Sequence, residues 1–448
     1  MRSFLPGKRN SNQRPFSIMG YDFVLILTVI TLTIIGILFI YSSGITSIGE
    51  NVSNEYLKQI FWGISGIVIM FIISFIDYRR IKLISLYLYI FFIFLLLITV
   101  LFGAVRNGAR SWLGIGALGI QPSEFAKIAT IIFLASYLED NSKEIESFRV
   151  FATACIIVAL PTMLIMAQPD LGTTLVFFPI LMSVLYIGGA NLKYLGFVIL
   201  LIILSSIFIT FNAWDLYLSQ DFKVLGRVFN DSDIMMYFIL GMGLLILLSS
   251  AGYILFRKRV YFWLLYIKTA LLMSYFLTLG AFKALKGYQL MRLVVFLNPQ
   301  VDPRGSGWNI IQSVTAVGSG GISGKGFLQG TQSHYRFLPQ QSTDFIFSIF
   351  AEESGFLGSL VLFFLFSLII IRGLYIVSTS KDRFGAYISA GIVGMFSFHI
   401  IENIGMAIGI MPITGIPLLF LSYGGSSLWT AFISIGIMLS IHQKRYRD

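Results

Sequence analysis

The chain has 448 residues, of which 56% are hydrophobic and only 12% charged, and its 32 Lys and Arg outnumber its 21 Asp and Glu to give a formal net charge of +11. Soluble domains carry about 25% charged residues, so an ordinary soluble enzyme is excluded, and the basic excess points to anionic lipid or lipid-linked phosphate in place of nucleic acid. The single cysteine, Cys155, excludes a disulfide framework, and three scattered histidines with no HExxH or CxxC argue against a zinc site.

A hydrocarbon core of about 30 Å needs roughly 20 apolar residues per helix, and the apolar runs here are long and continuous, which favours helices over a barrel. Residues 1–20, with Arg2, Lys8, Arg9 and Arg14, read as a cytoplasmic tail. Residues 21–211 hold seven spans, near 21–43, 57–76, 83–103, 121–138, 148–168, 170–189 and 192–211. Residues 212–283 hold a polar stretch and a helix pair, near 234–256 and 260–283, joined by Arg257-Lys258-Arg259. Residues 284–351 form a large loop, 352–441 the last three spans (near 353–377, 386–409 and 414–440), and 442–448 a second cytoplasmic tail. The fold class is an all-α polytopic membrane protein of about twelve helices. The compact basic triple is the strongest cytoplasmic marker. It leaves two outside loops, 104–120 and 284–351, carrying cations on the wrong side, and these are candidates for binding an anion.

Four constellations carry possible chemistry. Gln121, Glu124 and Lys127 share one helix face behind Pro122, and charges at bilayer depth, costing about 2.5–3.5 kcal/mol each, should face protein or water. Gln168-Pro169-Asp170 precedes an apolar run that Asp170 would cap. His399, Glu402 and Asn403 share a face within a span and read first as hydrogen-bonding glue. The large loop holds Lys286, Arg292, Arg304, Lys325 and Arg336, and a glycine run through Gly318, Gly320, Gly321, Gly324 and Gly326 that fails the P-loop template. Glycines of this kind let backbone amides approach a phosphate, or simply make a flexible loop. Asp302, held between Pro299 and Pro303 near these cations, suits a general base.

These stretches together resemble the SEDS family (shape, elongation, division and sporulation), and within it the elongation branch more than the division branch. The residues that carry the resemblance run in order through nearly the whole chain. They are Arg110-Ser111-Trp112, Gln121-Pro122-Ser123-Glu124 with Lys127, Gln168 to Thr173, Asp302 to Gly307, Gly318 to Gly326, Gly330-Thr331-Gln332-Ser333, Thr343 to Phe347 with Glu352-Glu353, and Gly415 to Ser427. The family usually reads L-P-E-x-H-T-D where this chain has Leu338 to Asp344 with Gln340 and Ser342, and Leu418 stands where a second proline is common. About ten helices are usual, so residues 212–283 look like an insertion. An even number of added helices keeps Asp302 outside.

The resemblance implies a peptidoglycan glycosyltransferase of the bacterial inner membrane that polymerises lipid II outside the cytoplasm and releases undecaprenyl pyrophosphate. Its implied partners are a class B penicillin-binding protein and elongation-complex membrane proteins. By similarity Asp302 is the catalytic carboxylate, and Glu124 and Lys127 match positions needed for function. Arg110, Lys127, Arg304, Lys325 and Arg336 are the candidate cations for the pyrophosphate. A divalent cation such as Mg or Mn is expected to assist, with no site defined by the sequence and no organic cofactor. The alternatives are a flippase for lipid II or another lipid-linked sugar, which would depend on mid-membrane Glu124, Lys127, His399 and Glu402, and a non-enzymatic scaffold.

Overall fold

The computed structural model describes residues 20–106, 108–114, 119–217 and 228–445, without the side chains of Arg106 and Ser306. The expected N-terminal tail, part of the polar stretch after residue 217 and the last three residues lie outside this description.

Long apolar runs fold into helices whose first turns are closed by short polar side chains. The helices are α1 (Phe23–Ser43), α2 (Glu55–Phe75), a short α3 (Tyr78–Leu83), α4 (Ser85–Phe102), α5 (Pro122–Asp140), α6 (Phe148–Ala167), α7 (Leu171–Gly188) and α8 (Leu192–Tyr217). There follow α9 (Ser232–Phe256), α10 (Arg259–Ala284), α11 (Gly287–Leu297), α12 (Ser306–Ser319), α13 (Thr331–His334), α14 (Ile346–Thr379), α15 (Arg383–Ala407) and α16 (Gly425–Lys444). Asp22, Ser147, Asp170 and Asp382 each accept a backbone N–H at the start of their helix, satisfying donors the helix itself leaves orphaned. A small antiparallel hairpin, β1 (Ala104–Arg106) and β2 (Ala109–Trp112), follows α4.

Among the described residues eleven helices are long and apolar enough to cross a membrane. The twelfth expected span, α5, differs because Glu124, Lys127, Glu139 and Asp140 dilute its apolar content, yet fourteen of its nineteen residues are buried. It is enclosed by other helices, which is what a polar transmembrane segment requires. Short connections make successive long helices antiparallel, so the bundle has two ends. One gathers the turns at 76–84, 141–147, 257–258 and 380–382; the other gathers residues 44–54, 103–106, 108–114, 119–121, 168–170, 285–345 and 408–424.

The basic end is stitched by ion pairs. Lys82 Nζ lies 2.6 Å from Glu139 Oε2 and 2.7 Å from Asp140 Oδ1, Arg79 Nε 3.0 Å from Asp382 Oδ2, and Lys444 Nζ 2.7 Å from Asp77 Oδ2. At the opposite end, residues expected as one loop fold into α11, α12 and α13. The span expected from 414 starts only at Gly425. Pro417 has no N–H to give a helix, and the Ser422 hydroxyl takes the N–H of Leu418 at 2.8 Å, so residues 411–424 form a non-helical wall.

The glycine run has a structural explanation. α14 is broken at Gly355, where φ is 66° and ψ −163°. There Phe356 N and Leu357 N donate to Gly321 O and Ile322 O at 2.9 and 3.1 Å, while the released Glu352 O and Glu353 O accept from Lys325 N and Gly326 N, each at 3.0 Å. The loop thus exchanges backbone bonds with the helix. A Cβ on Gly320 or Gly324 would lie 2.1 Å from a carbonyl oxygen of α14, Ala351 O and Glu353 O respectively, so close backbone approach explains these two glycines.

Candidate active site

The turns at the non-basic end enclose a cavity of about 590 Å³, within the range of small-molecule sites. Its charged lining residues are Glu55 and Lys58 of α2, Asp170, Arg292 of α11 and Asp344; Trp62, Trp112, Tyr288, Tyr423 and Trp429 supply aromatic walls. Gln121, which precedes α5, donates through Nε2 to Asp170 Oδ2 at 3.0 Å, and its backbone N–H reaches Ser426 Oγ at 3.1 Å. Three sequence stretches far apart in the chain meet there. Arg292 packs its guanidinium 5.6 Å from the Tyr288 ring centroid and donates to Ile413 O at 3.4 Å. Burial pushes the Asp344 carboxyl up from its ordinary value; Asp170 adds to the shift, and Arg292 and a hydrogen bond from Thr343 oppose it.

The wall at 411–424 is held from behind by one face of α15. Asn403 Nδ2 donates to Ile416 O at 2.8 Å and to Asp344 O at 2.9 Å, and Thr414 Oγ1 donates to Glu402 Oε1 at 2.5 Å. His399 Nδ1 meets Pro417 O at 3.0 Å, and since a carbonyl only accepts, Nδ1 carries the proton. Nε2 is then an acceptor for the Lys127 ammonium, 3.2 Å away, which also lies 2.8 Å from Glu124 Oε1. The side chains of Lys127 and Glu124 are 1% and 3% exposed. This pair does not line the cavity; it reaches the cavity wall through His399.

The other expected site residues are dispersed. Arg110 is exposed, with NH1 3.4 and 3.5 Å from the Leu101 and Val100 carbonyls that end α4. Arg304 and Arg336 are exposed. Lys325 Nζ lies 2.6 Å from both Glu352 Oε1 and Thr331 Oγ1, and Glu352 also accepts from Thr331 N and Gln332 N at 2.8 and 3.0 Å. Lys325 is therefore engaged in latching the loop onto α14. Glu353, fully buried, accepts from Ser42 Oγ and from Leu328 N, tying the same loop to α1.

Asp302 stands between a 3₁₀ turn at Pro299–Val301 and the start of α12. Its carbonyl accepts from Gly305 N and Gly307 N at 3.2 and 3.0 Å. Its carboxylate lies against Gly305, where a Cβ would come 2.1 Å from Oδ2. It is on the same end of the bundle as the cavity, just beyond the helix that carries Arg292, without being one of the lining residues. Among the described residues no group of three or more His, Cys, Asp or Glu is arranged to hold a metal, and both carboxylate oxygens of Asp170 are taken up by Thr173 and Gln121. Sequence reasoning passed over Lys58, Arg292 and Asp344 as site residues. The available signal was Arg292 one turn after Tyr288; the approach of Thr343 and Asp344 to the Tyr423-Gly424-Gly425 stretch exists only in the fold.

Residues 22–232 and 228–447 match the family of FtsW, RodA and SpoVE, described as cell cycle protein. The chain is 46% identical over 428 residues to the peptidoglycan glycosyltransferase RodA of Treponema pallidum (strain Nichols), covering 96% of this chain and 99% of that one. It is 32% identical over 437 residues to the peptidoglycan glycosyltransferase MrdB of Escherichia coli (strain K12), covering 97% of each. A solved structure, from work on the structural coordination of polymerization and crosslinking by a peptidoglycan synthase complex, is similar in fold. It gives a TM-score of 0.64 at 24% identity and covers 96% of this chain and 99% of that one.

Proposed function

The chain belongs to the FtsW, RodA and SpoVE family, and from that premise we infer that it is a membrane-embedded peptidoglycan glycosyltransferase, polymerising lipid II into glycan strands during cell elongation. The single observation that carries the site is the cavity at the non-basic end, where Lys58 and Arg292 stand beside aromatic walls. Basic residues collect at the other end, in the turns containing Arg79, Arg80, Lys82, Arg257 and Lys258. By the positive-inside rule that end is cytoplasmic, both termini with it, and the cavity faces outward.

In this reading Lys58 and Arg292 bind the donor pyrophosphate, and Asp302 takes the proton from the 4-hydroxyl of the acceptor GlcNAc. The freed oxygen attacks C1 of the donor MurNAc with inversion. The new C1–O4 bond forms as the C1–phosphate oxygen bond breaks, and undecaprenyl pyrophosphate departs with the electron pair. One carboxylate suffices because pyrophosphate needs no proton to leave, whereas a glycoside hydrolase uses two. Fixed cations aimed at the leaving group stabilise the charge that grows there. A divalent cation such as Mg or Mn, bound with the pyrophosphate, would add neutralisation of that charge. The buried Glu124–Lys127–His399 network positions the cavity wall through Pro417, and does not touch substrate.

A class B penicillin-binding protein is the proposed crosslinking partner, together with other elongation-complex membrane proteins. The test is electrophoresis of glycan chains made from labelled lipid II by purified protein, with and without that partner and with EDTA. Polymer that requires the protein and falls with EDTA supports the reading. Lipid II moving between leaflets of liposomes with no polymer formed would favour transport.

A further inference from the structure

The peripheral helix pair carries a cation with no counter-charge among the described residues. α9 packs on α10, and α10 on α8, leaving the apolar length of α9 almost entirely unburied. Lys268 follows Arg259 by nine residues, so its Cα is about 13 Å below the Arg257-Lys258-Arg259 turn at a rise of 1.5 Å per residue. Its Nζ donates to Ser249 Oγ at 2.8 Å and points at Leu245 O, 3.4 Å away, both in α9. These are neutral acceptors, and among the described residues no carboxylate pairs with it.

A hydrocarbon half-thickness of about 15 Å leaves the ammonium well below the phosphates of the nearer leaflet, and its bonds to α9 hold it there. Isolated charge at such depth is costly and is normally paired. The surface beside it is open: Leu244, Leu248, Leu264 and Ile267 are exposed, and a side chain added at Gly241 would meet nothing within 4 Å. Small residues let helices approach closely in lipid. We propose that the α9–α10 seam docks a transmembrane helix of another membrane protein that carries an Asp or Glu at the depth of Lys268. The occupant's carboxylate completes the coordination of the ammonium, and its apolar stem covers the exposed leucines.

The test uses the full chain, donor-labelled, in phosphatidylcholine vesicles with acceptor-labelled polyleucine transmembrane peptides. One peptide carries a single Glu about eight residues from its cytoplasmic end; matched peptides carry Gln or Leu there. The expected result is half-maximal energy transfer at about fivefold lower Glu-peptide density than Leu-peptide density. That preference is retained in Lys268→Arg and lost in Lys268→Met, which removes the charge together with its bonds to Ser249 and Leu245. Equal transfer for all three peptides, or a Glu preference that survives Lys268→Met, would overturn the proposal. So would a preference abolished by adding phosphatidylglycerol, because the site would then hold an anionic lipid.

Discussion

The Lys127 ammonium lies 3.2 Å from Nε2 of His399, whose Nδ1 in turn meets Pro417 O at 3.0 Å. A charged pair on one helix is thereby joined to the wall of the cavity.

Removing Lys127 alone leaves Glu124 as an uncompensated buried charge, a loss of about 3–5 kcal/mol. Lys127→Met should therefore lower the thermal unfolding midpoint of the detergent-solubilised protein sharply. Glu124→Gln combined with Lys127→Met should recover most of that stability while polymerisation stays low. A double variant no more stable than Lys127→Met would show that the two charges do not compensate each other.

The loop latch gives a graded series. Gly324 has φ +79° and a Cβ there would meet Glu353 O at 2.1 Å, whereas at Gly321, φ +57°, nothing lies within 4 Å. Gly321→Ala should cost about 1–2 kcal/mol of backbone strain, while Gly324→Ala should prevent the loop from seating and give little folded protein. Lys325→Ala should be intermediate, because Glu352 retains the N–H groups of Thr331 and Gln332; the two bonds lost, to Glu352 and Thr331, are charge-assisted and each costs about 1.5–3 kcal/mol. Fluorescence-detected size exclusion after heating ranks the three.

Asp344 makes stability depend on pH. Burial raises its carboxyl above the ordinary value of 3.8, so within that interval the folded protein binds more protons than the unfolded chain. Stability is then full below the ordinary value and is lost as pH rises through the raised one. Asp344→Asn should flatten the midpoint-against-pH curve across that window; an unchanged slope would assign it to another group.

Much of the fold was legible because apolar runs of about 20 residues can only be helices in lipid, and the basic turns order them. The least apolar span, α5, was read as an apolar run like the others, whereas its four charged residues and its burial place it among the bundle's interior helices and not its lipid-facing ones. The site was harder to read. Arg110, Lys325, Lys127 and Arg292 look alike as cations in a sequence, and only folding separates a helix-end cap, a loop latch, a buried pair and a cavity-lining charge. The glycine run suggested a phosphate cradle, but the same residues serve the break at Gly355, which leaves no trace in periodicity. Where the non-helical wall begins was hidden too, because Ile413, Ile416 and Leu418 are as apolar as a span.

Gly305 probes Asp302 without touching the carboxylate itself. Gly305→Ala places a Cβ 2.1 Å from Asp302 Oδ2 and must displace it, so polymerisation should fall while the unfolding midpoint changes by only a few degrees. Equal rates in the variant and the parent would mean that the position of this carboxylate is not critical.

Asp302→Asn, assayed with labelled lipid II beside the parent protein and its penicillin-binding partner, shows whether Asp302 is the base. The side chain keeps its size and loses its basicity. The expected polymerisation rate is lower by about 10²–10⁴-fold with lipid II still bound and the protein still folded. Glycan chains made by Asp302→Asn at the parent rate would contradict it.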